Sequence, residues 1–348
     1  MSVSFDPNAP AALDSGAYGL PFSEEESAVV LVPVPWEVTT SYGGGTSQGP
    51  LAILGASKQV DLYDLDVEKP YAPGIFMCPL DPEIVRWNDE GRALAKQIID
   101  VGGVVDSDPL RETLARVNAL GEKLNKRVAA ETERLLSAGK IVGIVGGDHS
   151  VPLGAIEVLS RREGGIGVLH FDAHSDTRAA YEGFLYSHAS IMHNVLSTAA
   201  GVKKLVQVGI RDVCEEEIDY VLSQGERVSV YFDRDLARRK FQGEAFAAIA
   251  REIVASLPSA VWVSFDIDGL DPRYCPHTGT PVPGGLEFQE AVYILGEVVR
   301  SGRTIVGFDL NEVAPGPEGD EWDGNVGARL LYKMIGFALA SQGKAKLR

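Results

Sequence analysis

Phe171-Asp172-Ala173-His174-Ser175-Asp176 follows directly on the apolar run 166–169. In an extended chain residues i, i+2 and i+4 point to one side. Asp172, His174 and Asp176 are therefore expected to converge on one point as the backbone leaves a buried strand. The apolar run 141–145 leads in the same way into Gly146-Gly147-Asp148-His149-Ser150, and the run 261–265 into Asp266-Ile267-Asp268. Taken singly, each stretch fits a turn or a helix cap as well as a ligand set. Three of them, each at the C-terminal end of a buried strand, place two His and four Asp at the edge where open α/β sheets bind ligands.

Imidazoles mixed with carboxylates, and no thiolate, suit hard or borderline divalent ions such as Mn2+. Six ligands exceed what one catalytic ion with an open position can use, and suit a pair with shared carboxylates. Gly146-Gly147-Asp148-His149-Ser150, Phe171-Asp172-Ala173-His174-Ser175-Asp176-Thr177 and Ser264-Phe265-Asp266-Ile267-Asp268-Gly269-Leu270-Asp271-Pro272 resemble, in this order, the three signatures of the ureohydrolase (arginase and agmatinase) family. The likeness runs from about residue 29 to the last helix. It implies that His149, Asp172, His174, Asp176, Asp266 and Asp268 are the ligands of a binuclear centre holding two divalent ions per subunit, Mn2+ or Ni2+.

The composition is compatible with that reading. Formal charge is −17, from 32 basic and 49 acidic residues, which opposes binding to nucleic acid and anionic membranes and favours a small cationic substrate. Cys78, Cys214 and Cys275 are odd in number, widely spaced and without a CxxC, so neither a disulfide framework nor a cysteine metal site is expected. No stretch approaches the roughly 18 apolar residues of a membrane span and no signal-peptide pattern is present; a cytoplasmic location is expected.

Residues 1–27, rich in small, polar and turn-forming residues, read as an N-terminal arm that packs over a neighbour or stays mobile, ahead of a catalytic domain at 28–348. Residues 28–34 form the first buried strand. The glycine-rich stretch 36–46 lacks the Lys and Ser/Thr of a phosphate-binding loop. It reads either as a plain turn or, by the resemblance, as the rim of the active site with Thr39, Tyr42 and Gly45 on the pocket wall. Residues 65–108 show no sustained periodicity and read as an irregular excursion. Helical spacing of Leu114, Val117, Leu120, Leu124, Val128 and Leu135 predicts a long helix over 110–138, with Gly139 as its cap. Strands are predicted at 141–145, 166–171, 205–210, 228–232, 261–265 and 304–310, with helices between most of them and a closing helix at 326–341. This alternation predicts a single α/β domain of three α-β-α layers around a mainly parallel sheet of about eight strands, the arginase-like fold.

Four aspartates offset the charge of two divalent ions, and a metal-bridging hydroxide is the expected nucleophile. A protonated guanidinium also needs a carboxylate to hold it and an acid for the departing amine. Glu312 reads either as a solvated strand-end acid or, by the resemblance, as the residue that grips the guanidinium. His188 resembles the family's proton-shuttling histidine, although the family usually has His-Gly where this chain has His188-Ala189; a structural histidine is the alternative. His170 is expected to point opposite to the ligand set and to be packed and hydrogen-bonded. Asp148 is expected to orient ligands, and Asp271 to fix the turn before Pro272. The stretch from Asp271 to His277 reads as a rigid loop rather than a Cys275–His277 nucleophile pair, and His277 stands where the family usually has glycine, at the pocket mouth.

The 36–46 loop contains no Arg or Lys, so a small guanidine lacking a carboxylate is expected: free guanidine, an alkylguanidine or agmatine. Arg178, Arg211 or Arg273 near the pocket would instead favour a carboxylate-bearing guanidine such as arginine or guanidinobutyrate. The long N-terminal arm and the stretch Pro35-Trp36-Glu37-Val38-Thr39-Thr40-Ser41-Tyr42 resemble the guanidine hydrolase branch, which prefers nickel. A non-catalytic partner subunit would have lost ligands, and a two-metal phosphoesterase would need phosphate-clamping basic residues. The resemblance further implies a homo-oligomer, trimer or hexamer.

Overall fold

A computed structural model of the chain describes residues 5–12, 15–162 and 164–348. Its strands are β1 (Val29–Val34), β2 (Val67–Glu68), β3 (Ile75–Met77), β4 (Ile141–Gly146), β5 (Ile166–Phe171), β6 (Val202–Val208), β7 (Val228–Tyr231), β8 (Ala260–Asp266), β9 (Thr304–Asn311) and β10 (Lys346–Leu347). Its helices are α1 (Gly49–Ser57), α2 (Pro82–Ile99), α3 (Asp108–Ser137), α4 (Leu153–Arg162), α5 (Ile191–Thr198), α6 (Glu215–Ser223), α7 (Asp233–Phe241), α8 (Phe246–Ala255), α9 (Phe288–Arg300) and α10 (Trp322–Ser341).

Eight strands form one sheet in the order β3-β1-β4-β9-β8-β5-β6-β7, and every pairing in it is parallel. Successive side chains alternate between its faces. Along β1, Val29 and Leu31 enter one apolar cluster and Val30 and Val32 the other. Helices α1 and α7 to α10 close the first cluster, and α2 to α5 close the second. Both faces are thus dry, which is why the strands read as continuous apolar runs. The remaining strands, β2 and β10, pair antiparallel and tie the C-terminal residues to the segment before β3.

The predicted three-layer architecture is the observed one, with two corrections. The excursion read at 65–108 contains the 18-residue helix α2 and the edge strand β3. Its start signals were present: Asp81 caps the helix by accepting Glu83 N–H at 2.9 Å, with Pro82 in the first turn, a position that tolerates its missing N–H. Its buried face, Ile84, Trp87, Gly91, Ala95 and Ile98, is interrupted by one glycine, which weakened the apolar period. Strand β6 begins at Val202, earlier than the predicted 205, because the pair Lys203-Lys204 reads as surface. Within the stretch read as an arm, Tyr18 and Leu20 are buried against the chain's own domain. Tyr18 N–H donates to Ser57 Oγ on α1, and its hydroxyl donates to the Ala328 carbonyl on α10, both at 3.0 Å. Among the described residues no helix is long and apolar enough to cross a membrane.

Candidate metal centre

The sheet order makes β4, β9, β8 and β5 neighbours. Their C-terminal ends deliver His149, Glu312, Asp266 with Asp268, and Asp172 with His174 and Asp176 to one place. His149 Nδ1 lies 3.0 Å from Asp172 Oδ2 and 3.4 Å from both Asp176 Oδ2 and Asp266 Oδ2. His174 Nδ1 lies 3.1 Å from Asp268 Oδ2 and 3.5 Å from Asp172 Oδ1. Asp172 therefore presents Oδ2 to His149 and Oδ1 to His174, and joins two groups of potential ligands, one with His149, His170 and Asp176 and one with His174 and Asp268. Main-chain amides fix the carboxylates: His174 N–H donates to Asp172 Oδ1 at 2.6 Å, Ala173 N–H to Asp268 Oδ1 at 3.0 Å and Asp268 N–H to Asp266 Oδ1 at 2.8 Å. Asp176 reaches the group from a left-handed backbone, φ 55°, a conformation that neighbouring structure must hold in place.

The electrostatics call for cations. Burial, reinforced by Asp268 and Asp172, raises the Asp266 carboxyl pKa well above its usual range, and burial with Asp172 raises that of Asp176 to about 7. Burial alone would lower the histidine values; hydrogen bonds to Asp172, Asp176 and Asp266 instead hold His149 well above its ordinary value, and Asp268 with Asp172 takes His174 to about 12. His149 Nε2 lies 2.9 Å from Ser264 Oγ, whose hydroxyl donates to Asp309 Oδ1 at 2.9 Å. That relay places the ring proton on Nε2 and aims the Nδ1 lone pair at three carboxylates. A lone pair facing anions needs a proton or a metal ion between them. Nitrogen and oxygen donors with no sulfur fit hard or borderline divalent ions.

His170 does not point away as expected. Residues two apart on a strand share a face, and His170 Nε2 sits 2.8 Å from Asp172 Oδ2. Gln207 Nε2 donates to His170 Nδ1 at 3.0 Å and to the Ser175 carbonyl at 2.7 Å. The ring proton is thereby assigned to Nε2, so His170 is a neutral donor that orients Asp172; burial lowers its pKa in keeping with this.

Glu312, with φ 62°, is buried beside the cluster. Its Oε1 accepts His149 N–H at 2.9 Å; its own N–H donates to the Gly147 carbonyl at 2.8 Å. Burial, with Asp148 nearby, pushes its carboxyl pKa well up. Gly147 is required here by close approach: a β-carbon on it would lie 1.9 Å from the Trp36 carbonyl oxygen. Asp148 is fully buried, and Ser150 N–H donates to its Oδ1 at 3.0 Å. His188 Nδ1 has no partner, and burial, with His174 nearby, lowers its imidazole to about 4.

In the 36–46 loop, Thr39 is buried with an unpartnered hydroxyl, the Tyr42 ring projects into solvent, and Gly45 lies alongside Ala314 and Pro315. His277 has its partner on α10: its Nδ1 is 2.8 Å from Asp323 Oδ2. The Cys275 thiol is buried, and burial raises its pKa well above the usual range, so it is no nucleophile. Asp271 Oδ1 accepts Arg273 N–H at 3.0 Å, within the turn after Pro272. Arg211 spends its donors on the carbonyls of Gly209, Asp268, Leu270 and Val282. Arg273 pairs with Asp271 and Glu287, and Arg178 lies 3.6 Å from Glu217 Oε2 and over the Tyr181 ring.

Residues that sequence reasoning passed over hold the glycine-rich loop. Helix α2 presents Asn88, whose Oδ1 accepts Glu37 N–H at 2.8 Å, and Arg92, which donates to the Thr40 and Val38 carbonyls. Glu37 Oε2 in turn accepts Gly45 N–H at 2.6 Å and Ser47 N–H at 3.2 Å. The spacing of Asn88 and Arg92, one helical turn, was legible only once α2 was known. Ser264 carried a local signal, since it shares a strand face with Asp266 two positions on, whereas Asp309, three residues before Glu312, carried none.

The sequence profile of the Arginase family matches residues 27–336. The N(1)-aminopropylagmatine ureohydrolase of Synechocystis sp. is 29% identical over 326 residues, 92% of this chain and 92% of that protein. The enzyme of the same name from Thermococcus kodakarensis is 33% identical over 322 residues, 92% of this chain and 93% of its own length. Among solved structures, proclavaminate amidinohydrolase from Streptomyces clavuligerus shares the fold with a TM-score of 0.70 at 22% identity, over 96% of this chain and 99% of that one. Matched over most of its length, this chain belongs to the arginase family, hydrolases of linear amidines.

Proposed function

We propose that the chain cleaves a guanidino C–N bond of a small guanidine without a carboxylate, such as free guanidine, an alkylguanidine or agmatine, releasing urea and ammonia or an amine. His149, Asp172, Asp176 and Asp266 would hold one divalent ion, and Asp172, His174 and Asp268 a second, Mn2+ or Ni2+. Such ions supply a water deprotonated near neutral pH. The single observation that carries the reading is Glu312: a buried carboxylate beside the cluster, one oxygen anchored on His149 N–H, and no Lys or Arg ion pair among the described residues. A guanidinium docking there completes a charge-assisted pair. Thr39, whose buried hydroxyl is unpartnered, would line the same pocket if the resemblance of the 36–46 loop holds. His188, its Nδ1 unpartnered, would pass a proton to the departing nitrogen after first taking one up, because its lowered pKa leaves the resting imidazole neutral.

The state of the arginines supports a substrate without a carboxylate, since Arg211 and Arg273 are committed to other partners. The relatives named for N(1)-aminopropylagmatine agree with a far end that carries no anion. The test is urea release by protein stripped of metal and reloaded separately with Mn2+ and Ni2+, over guanidine, methylguanidine, agmatine, arginine and guanidinobutyrate. Turnover confined to the first three supports the proposal, and turnover confined to the last two overturns it. A trimeric or hexameric assembly is proposed alongside, to be tested by light scattering.

A further inference from the structure

A buried carboxylate outside the metal centre ties the pocket mouth to helix α10. Asp323, in the first turn of α10, is fully buried. Its Oδ1 accepts His277 N–H at 3.0 Å and its Oδ2 lies 2.8 Å from His277 Nδ1. Among the described residues His277 is its single ion-pair partner. Gly316 packs close to the imidazole: a β-carbon on it would lie 2.9 Å from His277 Nδ1 and Cε1. A buried carboxylate whose one cationic partner is removed is left uncompensated, so the pair fixes the loop to the helix from both ends.

The two residues after His277 reach the groups proposed to hold substrate. Thr278 Oγ1 donates to the Glu312 carbonyl at 2.8 Å. Gly279 fills the space between Glu312 and the glycine-rich loop: a β-carbon on it would lie 3.6 Å from Glu312 Oε2 and 3.7 Å from the Tyr42 carbonyl, and one on Gly43 would lie 2.8 Å from the Gly279 carbonyl. Glu312 holds a left-handed backbone, φ 62°, which neighbouring contacts must maintain; Thr278 is one of them.

We propose that the Asp323–His277 pair is a latch that sets Glu312 and the 36–46 loop against each other, which makes His277 a positioning and specificity-determining residue for the guanidino substrate. The substrate part rests on the function proposed above; the latch itself does not. When His277 is lost, the 277–279 run slackens, Thr278 releases the Glu312 carbonyl, and the carboxylate that grips the guanidinium wanders. Such a displacement acts on binding geometry while the Asp172, Asp266 and Asp268 carboxylates, held by main-chain amides, stay in place.

The test compares wild type, His277→Gly and His277→Asn as the full metal-loaded chain, by amide hydrogen exchange and by urea kinetics with and without added imidazole. His277→Gly is expected to raise exchange in the segments 275–280 and 312–316 about tenfold and to raise KM about tenfold, with kcat within about twofold and metal content unchanged, since misplacing a binding group by about 1 Å costs up to 10²-fold. Imidazole seated against Asp323, or the amide of His277→Asn, is expected to restore most of both. Unchanged exchange in both segments overturns the latch whatever the activity. Raised exchange with unchanged KM overturns the positioning role. If wild type releases no urea from any guanidine, the proposed function fails, and the exchange data still decide the latch.

Discussion

Glu312→Gln separates charge from shape at the group proposed to hold the guanidinium. The amide keeps one oxygen to accept His149 N–H, now 2.9 Å from Oε1, so the junction of β9 with the residues after β4 is preserved. What disappears is the negative charge. A hydrogen bond to a charged group contributes about 1.5–3 kcal/mol. At about 1.4 kcal/mol per tenfold, its loss lowers kcat/KM by roughly 10- to 150-fold. Stability moves the other way. Burial and the neighbouring Asp148 and Asp268 disfavour the ionised carboxyl at this position, so a neutral amide leaves the melting temperature equal or higher. The assay is urea release across substrate concentrations, with metal content and thermal unfolding measured on the same samples. Wild-type turnover in Glu312→Gln would refute the assignment. So would a loss of activity that tracks a loss of stability, because Glu312 would then be serving the fold.

Three further outcomes follow from the same geometry. Chelation is expected to lower the melting temperature reversibly by several degrees, because ions at 100 times their dissociation constant contribute about 2.7 kcal/mol per site; equal unfolding curves with and without metal would contradict the reading of the Asp cluster. Asp309→Asn removes the charged acceptor behind Ser264 and His149 and is expected to weaken metal binding about 10- to 100-fold, measured by competition with a chromogenic chelator, whereas unchanged affinity would remove the relay from the account. The hydrogen bond to Asp323 raises the His277 pKa, outweighing the opposing effect of burial. Its stabilisation is therefore complete below about pH 6.5, the unfolded value, and is lost as pH rises through the folded value. The stability gap between wild type and His277→Asn should narrow as pH rises above about 6.5, and a gap that widens would reverse the assignment.

The parts of this protein that depend on spacing within one segment were determined by its sequence. Asp172, His174 and Asp176 share a side because alternate residues of an extended chain must. Apolar runs followed by Asp and His placed three ligand stretches at one sheet edge, and with them the layered parallel architecture. The same rule, applied to His170, gives the orientation the structure shows, so that miss lay in its application. Helix α2 was hidden because Asn88 and Gly91 interrupt the apolar period of its buried face, in spite of the start signals at Asp81 and Pro82.

Only the tertiary structure decided which distant residues meet. Strand β9 enters the sheet between β4 and β8 although it is formed last of the three, and that order brings Glu312 to His149, 163 residues earlier in the chain. The grip of Asn88 and Arg92 on the glycine-rich loop and of Asp323 on His277 has the same origin. The physical reason is that side-chain periodicity is set by local backbone geometry, whereas hydrogen-bond partners across layers are set by strand order and helix packing, which no local spacing encodes.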